Sequence, residues 1–411
     1  MKKTSNTQRT EKHIVKSSDK YFKMLMDFCH KSKNLYNHAN YIVRNEFVSN
    51  GKWIRYSDLD KILKADKEYP DYADMPTAQT AQQTLRLLDK NWKSFFKSVK
   101  DWSKNKDKYL GQPKPPKYLK KDGNFDVMLT NQNCKLSNGI IYFPKAFNCF
   151  TLKPQFVNRK DFSSFQQVRL NPYRNKIVVE IIYNIKDIEN KTDNNRFIGV
   201  DIGVNNLATV CNNVGLTAFI INGKPLKALN QFYNKQISHY REVCKRINKK
   251  DYSRRMDSLT EKRNAQINDY LHKASKRIVD FCSDNQINTI VIGKNKEWKQ
   301  KSKLQKKENQ SFVQIPFANF IKMIEYKAEE KGIAVILTEE SYTSGTSFID
   351  NEEPTKKNYN KTRRVHRGLF KSNNGILINS DLNGAYQILK KVIPIKWDSE
   401  CALHPVVVSV V

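Results

Sequence analysis

The 411-residue chain carries 73 Lys and Arg side chains against 41 Asp and Glu, a net charge of +32 at pH 7. Such an excess repels itself in a compact fold, so it indicates a polyanionic partner such as nucleic acid and disfavours an anionic membrane surface. No run approaches the ~20 apolar residues of a membrane span. The N-terminus lacks the apolar stretch of a signal peptide, and the 7 cysteines are scattered without a CxxC pair. We therefore expect a cytoplasmic protein with reduced thiols, associated with the nucleoid when bound, and no membrane partner.

The N-terminal half changes from helical to β-type patterning. Apolar residues recur at three- and four-residue spacings in two segments, which predicts two long helices, and short β-type runs later predict a small barrel or sheet. A basic segment with three prolines separates the two regions, and a polar stretch predicts a domain boundary. In chain order these are a strand-like start at His13–Lys16, helices at 20–48 and 77–100, the proline-rich segment at 110–123, β-type runs at 125–187 and the boundary at 186–196.

In the C-terminal half, strands and helices alternate, and acidic residues stand where the elements meet. Asp201 follows the apolar strand "FIGV", Glu339 and Glu340 end the strand "IAVILTEE", and Asp381 stands near the start of a helix. This order predicts an α/β sheet with its ligand site at one edge.

Asp201 and Asp381 are candidate ligands for divalent cations. Two ions about 3.5–4 Å apart need two or three carboxylates, and Mg²⁺ prefers oxygen ligands. Such a pair supports in-line displacement at phosphorus, and in so basic a chain the substrate would be a nucleic-acid phosphodiester. Two structural alternatives stay open: Asp201 can cap the turn at Asn205–Asn206, and Asp381 can be the N-cap of its helix.

Four ordered motifs carry a resemblance to a known family. The segments "IGVDIGVNNLATV", "INTIVIGKNKEWKQ", "ESYTSGTSFID" and "INSDLNGAYQILKK" resemble TnpB, the accessory protein of bacterial insertion sequences, which is related to type V CRISPR effectors. The resemblance is strong over 195–395 and looser in the N-terminal half. It implies a transposition-associated, RNA-guided DNA endonuclease, in which a guide RNA from the element's end pairs with double-stranded target DNA beside a short flanking motif. Asp201 matches the first catalytic aspartate of the RuvC motifs and Asp381 the last.

The same resemblance implies a multidomain α+β fold. An RNase H-like (RuvC) α/β nuclease domain would follow a helical recognition domain inserted in a small β-barrel. The implied segments are a first barrel strand (1–19), the helical recognition domain (20–110), the rest of the barrel or wedge domain (111–190), the first segment of the nuclease domain (195–341, with a helical insert at 230–282), a basic nucleic-acid-binding insert (342–376), the second segment of the nuclease domain (377–395) and a C-terminal tail (396–411).

The chain departs from the family pattern at its third carboxylate. The family usually has a glutamate directly after the strand "TIVI", where this chain has Gly293. The next strand is expected to lie beside that one, so Glu339 or Glu340 can reach the space that Gly293 leaves. Because successive strand residues face opposite ways, only one of them points to the metals, and we favour Glu340. Glu297 is a further candidate, although neighbouring lysines are its more natural partners.

A second departure concerns zinc. Many relatives carry two CxxC pairs before the last aspartate, but this chain has no cysteine between Cys282 and Cys401, so we expect no zinc in the insert. Basic runs with interleaved aromatic residues, which can follow phosphates and stack on bases, stand there and elsewhere instead. The candidate nucleic-acid contacts are Gln79, Lys117, Lys294, Trp298, Lys299, Arg363, Arg364 and Arg367.

We therefore predict a Mg²⁺-dependent, RNA-guided DNA endonuclease with catalytic Asp201, Asp381 and Glu340 or Glu339. Two alternatives remain. One is a nuclease-inactive, RNA-guided repressor, which Gly293 favours, and the other is an accessory DNA-binding protein of transposition. The sequence does not indicate an oligomeric state.

Overall fold

A computed structural model describes residues 7–186, 188–294, 313–366, 368–396 and 403–410 of the chain. The chain divides into two units, Met1–Asp187 and Ile188–Val411. The division falls at the polar stretch where the sequence predicts a domain boundary. Among the described residues, no helix is both long enough and apolar enough to cross a membrane.

The described residues of unit 1 form three α-helices and two small antiparallel sheets. In chain order its elements are β1 (Thr7–Lys16), α1 (Phe22–Asn50), α2 (Tyr56–Ala65), α3 (Ala78–Lys104), β2 (Val127–Thr130), β3 (Lys135–Ser137), β4 (Ile140–Tyr142), β5 (Thr151–Leu152), β6 (Phe162–Tyr173) and β7 (Lys176–Ile185). The strand orders are β1-β7-β6-β2 and β3-β4-β5, and the two sheets share one apolar core. Where the sequence predicts a small barrel or sheet, the described strands form two open sheets around a common core.

In the sequence, the helices of unit 1 come between β1 and β7, two strands that pair with each other. β1 runs antiparallel to β7 along its full length, from Thr7 opposite Ile185 to Lys16 opposite Lys176. Both predicted long helices are present as α1 and α3, and α3 starts at a capping box formed by Thr77 and Thr80. The short helix α2 is not indicated by the sequence pattern. The helices share a separate apolar core built around Trp92.

Unit 2 is built on a six-stranded mixed sheet. Its elements are β8 (Phe197–Ile202), β9 (Asn206–Asn212), β10 (Phe219–Asn222), α4 (Lys224–Asn248), α5 (Arg254–Asp284), β11 (Thr289–Gly293), α6 (Phe317–Glu329), β12 (Ala334–Thr338), β13 (Arg364–His366), β14 (Leu369–Lys371), β15 (Leu377–Asn379), α7 (Ser380–Lys390) and β16 (Val406–Val408). The strand order is β12-β11-β8-β9-β10-β16, and β13-β14-β15 form a small separate sheet. β11 is parallel to both β8 and β12, whereas β9 is antiparallel to β8 and β10.

Each face of this sheet has its own apolar core. On one face Ile198 and Val200 pack with residues of α5 and α6, and on the other Phe197 and Val291 pack with α7. Side chains alternate along a strand, so Asp201 shares the α7 face with Phe197. The sheet therefore directs this aspartate toward the helix that carries Asp381.

The C-terminal segment "HPVVVSVV", for which the sequence indicates no role, supplies the edge strand β16. β16 pairs in parallel with β10, Val406 lying opposite Phe219, and the Val406 amide donates to the carbonyl oxygen of Ala218 at 3.0 Å. Its valines suit an extended strand. This segment is thus part of the unit 2 sheet rather than a separate tail.

Candidate active site

Asp201 lies near the end of β8, among other negative charges. Burial, together with the charges of Glu340 and Asp381, raises the pKa of Asp201 well above its usual range, and the positive charge of Arg364 partly offsets this rise. Electrostatic coupling of this kind requires that the groups lie near one another. The fold therefore brings carboxylates from three distant segments to one edge of the sheet.

Asp381 is the second residue of α7 and is not its N-cap. The Asn379 side chain caps the helix, since its Oδ1 accepts from the amides of Asp381 at 3.0 Å and Leu382 at 3.1 Å. The N-cap alternative for Asp381 is therefore wrong. The Asn206 side-chain amide, considered as a turn partner of Asp201, donates instead to Oδ2 of Asp381 at 2.7 Å. This bond orients the Asp381 carboxylate.

Two glycines let α7 lie directly on β8. A Cβ on Gly199 would stand 2.5 Å from the carbonyl oxygen of Ala385 and 2.9 Å from Cβ of Leu389, so no larger residue fits there without moving the helix. A Cβ on Gly384 would stand 3.0 Å from Oδ2 of Asp201. The close approach of helix and strand thus places the first turn of α7 beside Asp201.

Glu340 occupies the space beside Gly293. In the pairing of β11 with β8, Ile292 lies opposite Val200, so Gly293 follows at the level of Asp201. A Cβ on Gly293 would stand 2.6 Å from Cγ and 2.8 Å from Oε1 of Glu340. The same Cβ would stand 2.5 Å from Cδ1 of Ile388, so any side chain at position 293 would displace both the Glu340 and the Ile388 side chains.

The two adjacent glutamates differ in environment. Burial raises the pKa of Glu340 to about 7, with Lys391 acting in the opposite direction. Glu339 is exposed, and its carboxylate accepts from the Ser341 hydroxyl at 2.7 Å. The Lys391 ammonium donates to the backbone oxygens of Glu339 and Ser341, both at 2.8 Å. Of the pair, Glu340 is the one directed to Asp201.

The donor chemistry of this site suits a hard divalent cation. Asp201, Glu340 and Asp381 offer carboxylate oxygens, the ligands that Mg²⁺ prefers, and a cation would offset the repulsion that raises the pKa of Asp201. Within the ranges that the structure describes, however, no three His, Cys, Asp or Glu side chains are already grouped closely enough to hold an ion. Metal binding would therefore require these carboxylates to converge.

The predicted nucleic-acid contacts fall into three groups. Lys117, Lys294 and Arg364 are exposed, and Arg364 also acts on Asp201. Three further predicted contacts, Trp298, Lys299 and Arg367, lie outside the described residues, as does Glu297.

The remaining two, Gln79 and Arg363, already have protein partners. The Gln79 amide donates to Oε1 of Gln132 at 2.9 Å. The Arg363 guanidinium lies 2.7 Å from Oε2 of Glu352 and 3.8 Å from Oδ2 of Asp350, with 15% of its side chain exposed. Nucleic-acid contact by Arg363 stays a prediction, and in this structure its guanidinium pairs with acidic groups of the insert.

Some residues at the site escape the sequence prediction. Asn206 is visible in the turn after β8 but is assigned there to Asp201, since spacing alone does not show that the turn faces α7. Lys391 follows Lys390 at the end of a helix, a pattern typical of surface lysines, and nothing in it indicates contacts with the segment at Glu339.

Comparison with known proteins identifies two matching segments. Residues 180–299 match the family model OrfB_IS605, described as a probable transposase, and residues 317–388 match the Cas12f1-like TNB domain. "TnpB-like protein ORF457" of Acidianus two-tailed virus is 23% identical over 88% of this chain and 82% of its own length. Over these segments the chain is similar to TnpB proteins and to Cas12f1-like proteins.

Further similarities are to CRISPR effectors. "CRISPR-associated endodeoxyribonuclease Cas12f2" of a Micrarchaeota archaeon is 25% identical over 64% of this chain, and the match spans only 47% of that protein. The structure of a Cas12f1-sgRNA-target DNA complex aligns with 92% of this chain and 98% of that chain, at 14% identity and a TM-score of 0.37. A CRISPR-Cas12f ternary complex aligns with 92% and 82%, at 15% identity and a TM-score of 0.38.

The raised pKa of Glu340 predicts a pH-dependent stability in metal-free protein. This carboxyl titrates near 4.5 when unfolded and at about 7 when folded. Between these values the folded state binds more protons, so its stability falls as pH rises through this window. Thermal denaturation in EDTA from pH 5 to 8 should show this fall, and Glu340→Gln should reduce it. Gly293→Ala should reduce it too, because the new methyl group displaces Glu340.

The matched control is Glu339→Gln, which removes a neighbouring exposed carboxylate and should leave the pH dependence as in the wild type. Equal pH profiles for Glu340→Gln and Glu339→Gln would contradict the burial of Glu340 beside Gly293.

Proposed function

We propose that the chain is an RNA-guided DNA endonuclease that cleaves target phosphodiesters with two Mg²⁺ ions held by a RuvC-type, RNase H-like domain in unit 2. The position of Glu340 carries this proposal. Its side chain fills the volume beside Gly293 and couples electrostatically to Asp201, which is also coupled to Asp381. A third carboxylate is thereby available at the strand where the family pattern has its glutamate.

The sheet supports the assignment of an RNase H-like domain. The family resemblance implies that the strand ending in Glu339–Glu340 neighbours the strand ending at Gly293. β12 pairs with β11 in parallel, with Thr338 opposite Gly293, as this arrangement requires. One relative is named an endodeoxyribonuclease, which is consistent with DNA cleavage. A bacterial insertion sequence as the source stays a prediction, since the two relatives named above come from an archaeon and a virus.

Each residue of the site has a separate proposed role. Asp201, Glu340 and Asp381 would hold the ions, and Asn206 would keep the Asp381 carboxylate oriented. Bound there, two Mg²⁺ ions would supply water activation and stabilisation of the leaving oxygen at phosphorus. Arg364 lies near enough to affect Asp201 and is exposed, so its guanidinium can bind the phosphate that enters the site.

The net charge of +32 supports two nucleic-acid partners. Guide RNA would supply sequence recognition by base pairing, while the protein binds backbone phosphates and reads the short motif beside the double-stranded target. Neither the motif nor the cut positions follow from the site residues.

A nuclease-inactive, RNA-guided DNA-binding protein is the second candidate. Two observations favour it: Gly293 in place of the family's glutamate, and the lack of a preformed group of three ligands among the described residues. In such a protein Glu340 would fill space beside Gly293 without binding metal. An accessory DNA-binding role in transposition is a third candidate that the basic charge permits.

Removal of each proposed ligand tests the first candidate. Asp201→Ala, Glu340→Ala and Asp381→Ala should each lower Mg²⁺-dependent cleavage at least about a thousandfold, because each removes a carboxylate from the ion pair. Glu339→Ala, the matched control, should cut as the wild type does. The assay uses the protein with its copurified RNA against a plasmid library with randomised flanks, with and without Mg²⁺.

Specific binding without any cut by the wild type would reject the nuclease and favour the repressor. Normal cleavage by Glu340→Ala together with loss in Glu339→Ala would reverse the assignment within the pair.

Moving the carboxylate from position 340 to position 293 separates ligation from packing. Glu340→Ala removes the Glu340 atoms that approach Gly293, and Gly293→Glu in the same chain places a carboxylate at the end of β11. The flexible end of the Ile388 side chain, whose Cδ1 would stand 2.5 Å from a Cβ at position 293, must shift in both double variants. We expect the double variant to recover some of the cleavage lost in Glu340→Ala. Gly293→Gln with Glu340→Ala has the same shape without the charge and should stay inactive. Equal recovery by the glutamine variant would mean that residue 340 acts through packing alone.

Arg364 provides a test that does not touch the carboxylates. Arg364→Ala should lower the cleavage rate on the order of a hundredfold, because it removes a positive group at the phosphate, and Arg364→Lys should lower it less. Its loss also raises the pKa of Asp201, so the acid limb of the pH–rate profile should move to higher pH. Lys361→Ala, an exposed neighbour, is the control. An unchanged pH profile in Arg364→Ala would contradict its placement at the site.

A further inference from the structure

Residues 113–123 of unit 1 lie along α1, and we call this segment the strap. It has no helix or strand from 113 to 120 and ends in a turn, in which the Gly123 amide donates to the carbonyl oxygen of Lys120 at 2.9 Å. Polar side chains at helical spacing on α1 donate hydrogen bonds to backbone carbonyl oxygens of the strap. Donors later in α1 bond to acceptors earlier in the strap, so the strap runs antiparallel to the helix. The donors and acceptors are Arg44 and Asn40 to Pro116 (3.1 Å each), Asn37 to Leu119 (3.0 Å), Lys33 to Lys121 (2.6 Å) and His30 to Gly123 (3.1 Å).

Several features fix the conformation of the strap. Asn37 also accepts from the Leu119 amide at 2.8 Å, so Leu119 is held through both of its backbone groups. Lys33 is buried, with 4% exposed, and is therefore committed to the strap rather than to solvent. Leu119 packs against the helical core. Prolines at 113, 115 and 116 restrict the backbone further, because each fixes its φ angle.

The fastened backbone presents a row of lysines to solvent. Lys114, Lys117, Lys120 and Lys121 are all exposed. In an extended proline-rich segment with three residues per turn and a rise of about 3.1 Å per residue, Lys114, Lys117 and Lys120 would share one side at intervals of about 9 Å. Positive charges spaced in this way would suit a phosphodiester backbone, which they can follow without reading sequence.

An exposed aromatic ring stands within this row. Tyr118 keeps 47% of its surface exposed, and the Arg44 guanidinium carbon lies 5.2 Å from its ring centroid. An exposed ring beside a row of lysines is the combination by which proteins bind single strands, because an unpaired base can stack on the ring while the lysines hold the phosphates. Paired bases in a duplex do not offer their faces in this way.

We propose that the strap binds a single-stranded stretch of RNA, with Lys114, Lys117, Lys120 and Lys121 on its phosphates and Tyr118 stacked on one base. The assignment to RNA rests on the proposed function, because the guide is the single strand that the protein meets before any target DNA is opened. The proposal adds a partner surface in unit 1 and does not depend on the metal site.

The test measures binding of the full chain, freed of copurified RNA, to a fluorescent, unstructured 30-nucleotide pyrimidine RNA across a range of salt concentrations. The strap variant replaces Lys114, Lys117, Lys120 and Lys121 by Gln. The control variant makes the same change in charge at four exposed lysines of the same unit, Lys52, Lys61, Lys64 and Lys67. Loss of four phosphate contacts should reduce the slope of log affinity against log salt by about 3 in the strap variant. The control slope should stay near that of the wild type.

Substitutions at Tyr118 test the stacking contact without a change of charge. Tyr118→Ala should weaken RNA binding roughly tenfold, and Tyr118→Phe should retain it, because stacking needs the ring and not the hydroxyl. Equal effects of the strap and control variants, or of the two Tyr118 variants, would overturn the proposal. Equally tight binding of a single-stranded DNA of the same sequence through the same residues would overturn the assignment to RNA.

Failure of this proposal and failure of the proposed function are distinguishable. If the strap and control variants bind RNA equally while the wild type cuts target DNA, the proposal of RNA binding by the strap is rejected and the proposed nuclease function is retained. If the strap residues bind RNA as described but the wild type never cuts with Mg²⁺, the surface stands and the nuclease is rejected.

Discussion

Asp201, Glu340 and Asp381 lie at one edge of the unit 2 sheet, where their negative charges repel each other. The organisation of unit 2 depends on the contacts that hold these residues there despite the repulsion. Burial and the neighbouring charges raise the pKa of Asp201, while Arg364 is the positive group that pulls it down. Such an arrangement is unfavourable by itself, so a fold that imposes it gains little stability from it. The close packing of α7 on β8, which Gly199 and Gly384 permit, is what holds Asp381 there against the repulsion. A divalent cation is the partner whose charge would balance the group.

The geometry of parallel strands explains why Glu340 can occupy the position that a side chain at residue 293 would otherwise take. β11 and β12 are in register, and residues of the same parity face the same side, so position 340 continues the side on which Thr338 lies opposite Gly293. A side chain can therefore reach this volume either from the end of β11 or from just beyond β12. The two side chains do not fit together, because a Cβ on Gly293 would stand 2.6 Å from Cγ of Glu340 and 2.5 Å from Cδ1 of Ile388. Gly293 therefore does more than remove a carboxylate from this position, because the absence of a side chain there makes room for Glu340.

Local sequence patterns predict some features of this protein and cannot predict others. Strand parity is enough to favour Glu340 over Glu339, and helical periodicity is enough for α1 and α3. The capping residue of α7 is missed because Asn379 and Asp381 are both good N-caps, and only backbone geometry distinguishes them. The pairing of β16 with β10 is missed because a short run of valines gives no indication of which strand it will pair with. The ion pair of Arg363 is missed because its acidic partner, Glu352, is 11 residues away and meets it only in the folded insert.

The insert between β12 and α7 has no cysteines to fold it around zinc, so other contacts must hold it, and those contacts converge on α7. The Asn383 side chain donates to the carbonyl oxygen of Thr346 at 2.8 Å and accepts from the Phe348 amide at 2.9 Å. Phe348 stacks on Tyr386 with the ring centroids 4.4 Å apart, and the Gln387 amide donates to the carbonyl oxygen of Glu352 at 3.1 Å. The Glu352 carboxylate in turn holds Arg363, the residue next to Arg364. One helix therefore carries Asp381 in its first turn and anchors, through its later turns, the segment that brings a positive charge to Asp201. A displacement of α7 would move Asp381 and the segment that carries Arg364 together, relative to Asp201 on β8.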